Sequence, residues 1–245
     1  MTGKTIKQIA LITMIIDHFG CAIVYLMKQS DPRYKELYDV LRAIGRIAFP
    51  LYGFLVVEGF AYTKNLKKYI ASMGLCALIS EIPFNLTVSR GNFSDIKHQN
   101  VFLTIFITLL AMSLMEKILK SFGPGDVLRY DLMLLVMAVA ALTGYLVKCD
   151  YRHGGVLMIL FMYLARKTMV FTGIPARTYL LMMLLGCTVI TLYSRNEIWA
   201  FADLIPVYFY NGKRGNIRHK YFYYLIYPAH LFVFGMTARY IKTIL

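Results

Sequence analysis

The feature that most constrains this chain is a repeated one. Long apolar runs alternate with short polar connections from one end to the other. A helix needs about 20 mostly apolar residues to cross a bilayer. Runs at 5–27, 43–63, 68–88, 100–119, 130–147, 154–172, 178–194 and 221–243 approach or reach that length, and a ninth at 197–210 is short. In lipid only helices and closed barrels satisfy every backbone hydrogen-bonding group. The expectation is therefore an all-α polytopic membrane helical bundle with about nine transmembrane helices, or eight if 197–210 tilts or re-enters. Composition agrees: 58% of residues are hydrophobic and 16% charged, against about 45–50% and about 25% in soluble domains. No linker, composition shift or internal repeat divides the chain, so 1–245 reads as a single integral membrane domain. The first run is too long for a signal-peptide core, lacks a small-residue cleavage site and contains Asp17, which makes it a retained helix.

The net charge is +14, yet the basic residues sit in the connections and not along one groove or stripe. That use of charge sets membrane topology and makes nucleic acid a poor partner. The short loops on the side of the N-terminus hold the larger share of Lys and Arg, which places the N-terminus in the cytoplasm. Cys21, Cys76, Cys149 and Cys187 are scattered, with no CxxC or Cys/His spacing, so neither a disulfide framework nor a metal site is expected.

Within the first run, Asp17 and His18 interrupt ITMIIDHFG. An ionised Asp near mid-membrane costs roughly 2.5–3.5 kcal/mol, and such residues usually face a protein interior and carry function. With alternate segments crossing in opposite directions, other polar groups gather at a similar depth. They are Arg42 and Arg46 in LRAIGRIAFP, Glu81 and Asn85 around Pro83, Gln99 and Asn100 at the head of the fourth run, Asp150 and Tyr151 before Gly154 and Gly155, and His230 in LIYPAHL. Six segments that bring polar groups to one level must converge on an internal cavity. Each residue also has a plainer use. Arg42, Arg46 and Asp150 suit interfacial anchors or interhelical ion pairs, and Asn85, Gln99 and Asn100 suit interhelical hydrogen bonds or caps. Glu58 either pairs with a basic group or meets a polar ligand.

Histidine is the usual general base near neutral pH, and a carboxylate can orient it. Adjacent helix positions point about 100° apart, so Asp17 and His18 cannot face one another. Either the helix is distorted there, or His18 takes its orientation from another helix, through Glu81 or a partner near Asn100, while Asp17 pairs with an arginine. GxSxG, Walker and zincin signatures are all missing, which argues against a hydrolase or ATPase. A second informative stretch is YNGKRGNIRHK, with Tyr210, Asn211, Lys213, Arg214, Arg218 and Lys220. Its glycine amides and cations suit a polyphosphorylated ligand, and equally an ordinary positive-inside loop.

Seven blocks, KQIALITMIIDHFG, LRAIGRIAFPLYGFLVVEG, ALISEIPFN, QNVF, DYRHGGVL, YNGKRG and YFYYLIYPAHL, resemble in order and spacing the TraX family. Its archetype is the pilin acetylase of conjugation systems. The resemblance implies a multi-pass inner-membrane acetyltransferase that moves an acetyl group from acetyl-CoA, without a metal, to an amine or hydroxyl acceptor on a protein or small molecule. In the archetype the acceptor is the N-terminal amine of pilin. The residues fit such chemistry. His18 would be the base, with Asp17 or Glu81 orienting it and His230 as the competing candidate. Arg46, Asn100 or Gln99 would polarise the thioester carbonyl, and the 213–220 loop would hold the CoA phosphates. Since no cysteine lies in the polar motifs, direct transfer in a ternary complex is expected, with an acetyl-His intermediate as the alternative. A proton-coupled transporter for a small polar or anionic solute is the alternative, although transporters often carry repeats. A purely structural subunit is disfavoured by the number of intramembrane ionisable groups.

Overall fold

The computed structural model describes residues 1–92, 98–169, 175–216 and 220–244. Helices α1 (Gly3–Phe19) and α2 (Tyr25–Ser30) are joined by a π-helical turn, Gly20–Val24. A short 3₁₀ turn leads into α3 (Lys35–Gly45), which passes through a tight turn into α4 (Ala48–Tyr62). There follow α5 (Leu66–Val88), α6 (Val101–Ser121), α7 (Val127–Leu146), α8 (Arg152–Met169) and α9 (Pro175–Tyr193). A 3₁₀ segment, Arg195–Asp203, runs into the short α10 (Leu204–Tyr208), and α11 (Lys220–Ile244) ends the described chain. Among the described residues there is no strand, only an isolated bridge between Gln99 and Cys149.

Among the described residues, five helical stretches are long and apolar enough to cross a membrane: Gly3–Ser30, Pro32–Tyr62, Leu66–Val88, Val101–Ser121 and Val127–Leu146. Arg177–Tyr193 is a shorter apolar helix. The protein is thus an all-helical, multi-pass membrane protein. Several boundaries follow from local chemistry. Asn65 Oδ1 accepts from Lys68 N–H at 2.9 Å to start α5, and Asn100 Oδ1 accepts from Phe102 N–H at 3.0 Å to start α6. Each satisfies an amide that the first helical turn leaves without a carbonyl. Pro83 and Pro228 lie inside α5 and α11 without ending them.

Direction along the bundle is set by pairings between its ends. The start of the chain touches the loop after α10: Gly3 N–H donates to Lys213 O at 2.8 Å, Lys4 N–H to Arg214 O at 2.9 Å, and Asn211 N–H to Met1 O at 2.9 Å. We call this the near end. Residue 17 of α1 meets residues 42–46 at the opposite, far end. Segment 195–210 joins the two levels, with Glu197 bonded to Arg46 at the far end and Tyr210 to Glu58 at the near end. Fourteen residues of α-helix would rise only about 21 Å, whereas a 3₁₀ helix rises about 2 Å per residue. Arg195–Asp203 is wound as a 3₁₀ helix, although either winding covers the rise of about 18 Å from Arg46 to Glu58 along α4; what the 3₁₀ winding decides is which side chains share a face. With three residues per turn, one face collects Glu197, Ala200 and Asp203, all buried, while Ile198 and Trp199 are exposed.

Candidate functional site

The far-end cluster grows from Asp17, on the last turn of α1 and 8% exposed. Its Oδ2 accepts from Arg42 Nη1 at 2.8 Å, and its Oδ1 from Arg46 Nη2 at 3.0 Å. Arg46 also donates through Nη1 to Glu197 Oε1 at 2.7 Å and through Nε to the Arg42 carbonyl at 3.2 Å. One arginine thus ties the first helix, the α3–α4 turn and the 3₁₀ segment together. The approach depends on Gly45. A Cβ there would stand 1.9 Å from Asp17 Oδ1 and 2.4 Å from its Cβ, so any other residue pushes α3 off α1. Glu197 Oε2 is buried and has no hydrogen-bond partner among the described residues.

His18 points away from these arginines' carboxylate partner, as helix geometry requires. Its Nδ1 lies 2.7 Å from Nε2 of His230 on α11, with the rings stacked at a centroid distance of 5.0 Å. His230 Nδ1 lies 2.6 Å from the Ile226 carbonyl. A carbonyl only accepts, so neutral His230 carries its proton on Nδ1 and accepts at Nε2. His18 then donates from Nδ1, which leaves the lone pair on His18 Nε2. Tyr227 packs edge-on against both imidazoles, at 6.0 Å and 5.8 Å. The π-turn begins at Gly20, two residues beyond His18; such turns recur at functional sites because they re-aim the residues around them.

Beside this cluster lies the turn before α8. Tyr151 stacks on Phe49 at 4.2 Å with the rings nearly parallel, and the Arg46 guanidinium lies 6.0 Å from its ring centre. Tyr151 and Arg152 have φ of 59° and 45°. Such backbone costs about 1–3 kcal/mol per non-glycine residue and persists only where surroundings impose it. Gly155 is part of that imposition, because a Cβ there would come within 2.8 Å of the Tyr151 Cβ and 3.0 Å of Phe49. The Asp150 carboxylate accepts from Tyr151 N–H at 3.1 Å, and its carbonyl from Thr104 Oγ1 at 2.7 Å.

A third set binds α5 to α6. Glu81 accepts from Asn85 Nδ2 at 2.8 Å and from Asn100 Nδ2 at 2.6 Å, and the second Asn100 amide hydrogen goes to the Ala77 carbonyl at 2.7 Å. Gln99 is held through its backbone, donating to Lys148 O at 3.0 Å. At the near end, Glu58 accepts from Arg166 Nε at 2.7 Å and from the Tyr210 hydroxyl at 3.2 Å. Tyr210 therefore faces inward, edge-on to Phe54 and Tyr179. Asn211 Oδ1 accepts from Lys213 N–H at 3.1 Å, while Lys213 and Arg214 are exposed.

A family model described as TraX protein matches residues 2–238. The chain belongs to the TraX family. It is also 27% identical over 240 residues to the probable fimbrial assembly protein FimC, serogroup H1, of Dichelobacter nodosus, covering 92% of this chain and 91% of that one. No solved structure matches it significantly.

In this TraX-family protein the far end brings together Asp17, Arg42, Arg46, His18 and His230, with Asp150 and Tyr151 alongside. Three sequence expectations change in detail. The orienting partner of His18 is His230, not Glu81 or a group near Asn100, because Glu81 is engaged by Asn85 and Asn100. Asn100 is poorly placed to polarise a carbonyl, since both its amide hydrogens are used. Arg46 has all three nitrogens engaged, so Arg42, with 29% of its side chain exposed, is the guanidinium nearer to open space. Arg218 and the Lys220 side chain lie outside the described residues. Glu197 is the residue the sequence reading passed over; its signal was an acid recurring at three-residue spacing with Ala200 and Asp203 in an apolar stretch. Among the described residues no group of three or more His, Cys, Asp or Glu side chains is arranged to hold a metal.

Proposed function

We propose that this protein is an inner-membrane acetyltransferase, its N-terminus cytoplasmic and about nine segments crossing the membrane as one unit. It moves an acetyl group from acetyl-CoA to an amine, in the manner of the pilin acetylase that is the family's archetype. The observation that carries the reading is the His18–His230–Ile226 hydrogen-bond chain, which leaves a bare lone pair on His18 Nε2. TraX membership and the FimC relative's name, a probable fimbrial assembly protein, support a pilus-related acceptor. In the proposed step the acceptor nitrogen attacks the thioester carbonyl carbon. His18 Nε2 takes the N–H proton, Arg42 steadies the oxyanion, the C–S bond breaks, and the proton passes to the departing thiolate. General-base assistance of this kind is worth about 10²–10⁴-fold, and oxyanion donors act best when fixed before reaction. Three carboxylates, Asp17, Asp150 and Glu197, against two guanidiniums favour over a hydroxyl an amine that arrives as its ammonium and gives one proton to solvent before its lone pair attacks.

The test is acetyl transfer in proteoliposomes from labelled acetyl-CoA to a pilin-type N-terminal peptide. His18→Ala should lose at least about a hundredfold in kcat with folding intact by thermal unfolding. Transfer by His18→Ala at the wild-type rate would remove the base assignment. Absence of transfer by the wild type to any amine or hydroxyl would favour the transporter reading.

A further inference from the structure

A cavity of about 260 Å³ opens at the near end between the last turns of α4, α6 and α8 and the start of α5. No step proposed above uses it. Phe60 and Leu66 form apolar wall, and Glu116, Tyr163, Arg166 and Lys167 supply polar groups. Phe60 and Tyr163 stand edge-on at 5.7 Å, giving an aromatic surface on which a planar base can rest. Glu116 Oε2 accepts from Tyr163 Oη at 2.9 Å and lies 2.6 Å from Lys167 Nζ. A carboxylate only accepts hydrogen bonds, so what it offers an incoming group is a place for an amino donor. Arg166 is pinned through Nε to Glu58, and a planar guanidinium held this way matches phosphate geometry.

The bordering turns add exposed Lys64, Lys67, Lys68, Lys117 and Lys120. With Arg166 and Lys167 they surround a mouth whose lining holds one acid, Glu116. Positive-inside charge accounts for lysines in loops, but it does not require a half-apolar cavity in their midst. Such a field concentrates polyanions. The volume is below the roughly 300–1,000 Å³ of whole-ligand pockets, so it suits the head of a larger molecule. From Ala61 to Ala48, at the level of the far-end cluster, α4 rises about 20 Å. A ligand seated here that reacts at His18 needs an extended arm.

We propose that this cavity seats the nucleotide end of the acyl-thioester donor. Arg166 and Lys167 meet its phosphates, Glu116 the amino group of its base, and the arm runs along α4 toward His18. The 213–214 loop, clasped to the chain start, then closes the near end beside the site and is not its floor. This inference rests on the acetyl-CoA reading above.

The experiment is site protection in nanodiscs, using Ala61→Cys in a background of Cys21→Ser and Cys76→Ser, with Thr63→Cys as the second reporter. Acetyl-CoA and 3′,5′-ADP, which carry no free thiol to consume the reagent, are each expected to slow maleimide labelling about tenfold, equivalent to about 1.4 kcal/mol, and S-acetylpantetheine to leave it unchanged. Adding Arg166→Gln and Lys167→Gln should abolish that protection. Labelling indifferent to acetyl-CoA and 3′,5′-ADP at both reporters overturns the proposal, as does equal protection by phosphatidylglycerol without nucleotide, which would make this a lipid headgroup site. Acetyl transfer without nucleotide protection defeats the cavity assignment alone. Nucleotide protection without transfer to any acceptor defeats the acetyltransferase reading and leaves the cavity standing.

Discussion

At the far end of α4, Arg46 holds two carboxylates, Asp17 and Glu197, and Asp17 in turn holds two arginines. At the near end Arg166 holds one carboxylate, Glu58, and Lys167 holds another, Glu116. The first cluster interlocks four chain segments over a glycine contact that leaves no space. The second consists of separate pairs along the wall of a cavity. Removing one member of an interlocked buried network strands several charges, whereas removing one of a pair strands a single charge. The difference suits the far end to fixing a reactive geometry and the near end to receiving a ligand.

Kinetics probe that contrast most sharply. His18→Ala should act on kcat, with about 10²–10⁴-fold lost, while Arg166→Gln should raise the acetyl-CoA KM and spare kcat. Steady-state kinetics showing both variants changed in the same parameter would erase the functional distinction. Next in size is Arg46→Met, which leaves Glu197 without its guanidinium and Asp17 with Arg42 alone. It should destabilise by about 3–5 kcal/mol, read as a large fall in the thermal midpoint in detergent. A midpoint within a degree of wild type would mean that the network is not interlocked. Gly45→Ala adds one methyl group against Asp17 and should cost about 1–3 kcal/mol, the usual range for overpacking. It should also lower transfer by shifting the α3 arginines, and unimpaired activity would show that α3 moves freely. Smallest is Tyr210→Phe, which removes one hydrogen bond to Glu58 for about 0.5–1.5 kcal/mol and should leave kcat unchanged. A kcat effect there would tie the near end to the chemistry.

The helices were readable because lipid leaves a segment no choice. Every backbone group must bond within it, so length and apolarity mark the span. Asp17, His18, Arg42, Arg46 and His230 stood out by the same logic, as polar groups where polar groups are expensive. Helix geometry alone showed that Asp17 and His18 do not face one another on a regular helix. It did not tell where each turns. Glu197 is not legible because it stands at the head of a short apolar stretch, and only the tertiary structure brings it to Arg46.

What the sequence determined by itself is therefore local: which segments are helical, where they are capped, and which side chains are too polar for lipid. The tertiary structure decided the partners. His18 meets His230 across 212 residues and Arg46 meets Glu197 across 151. Those meetings depend on the rotation and depth of each helix against its neighbours. Rotation and depth come from close contacts such as Gly45 on Asp17 and Gly155 on Tyr151, where the absence of a side chain on one helix sets the position of another.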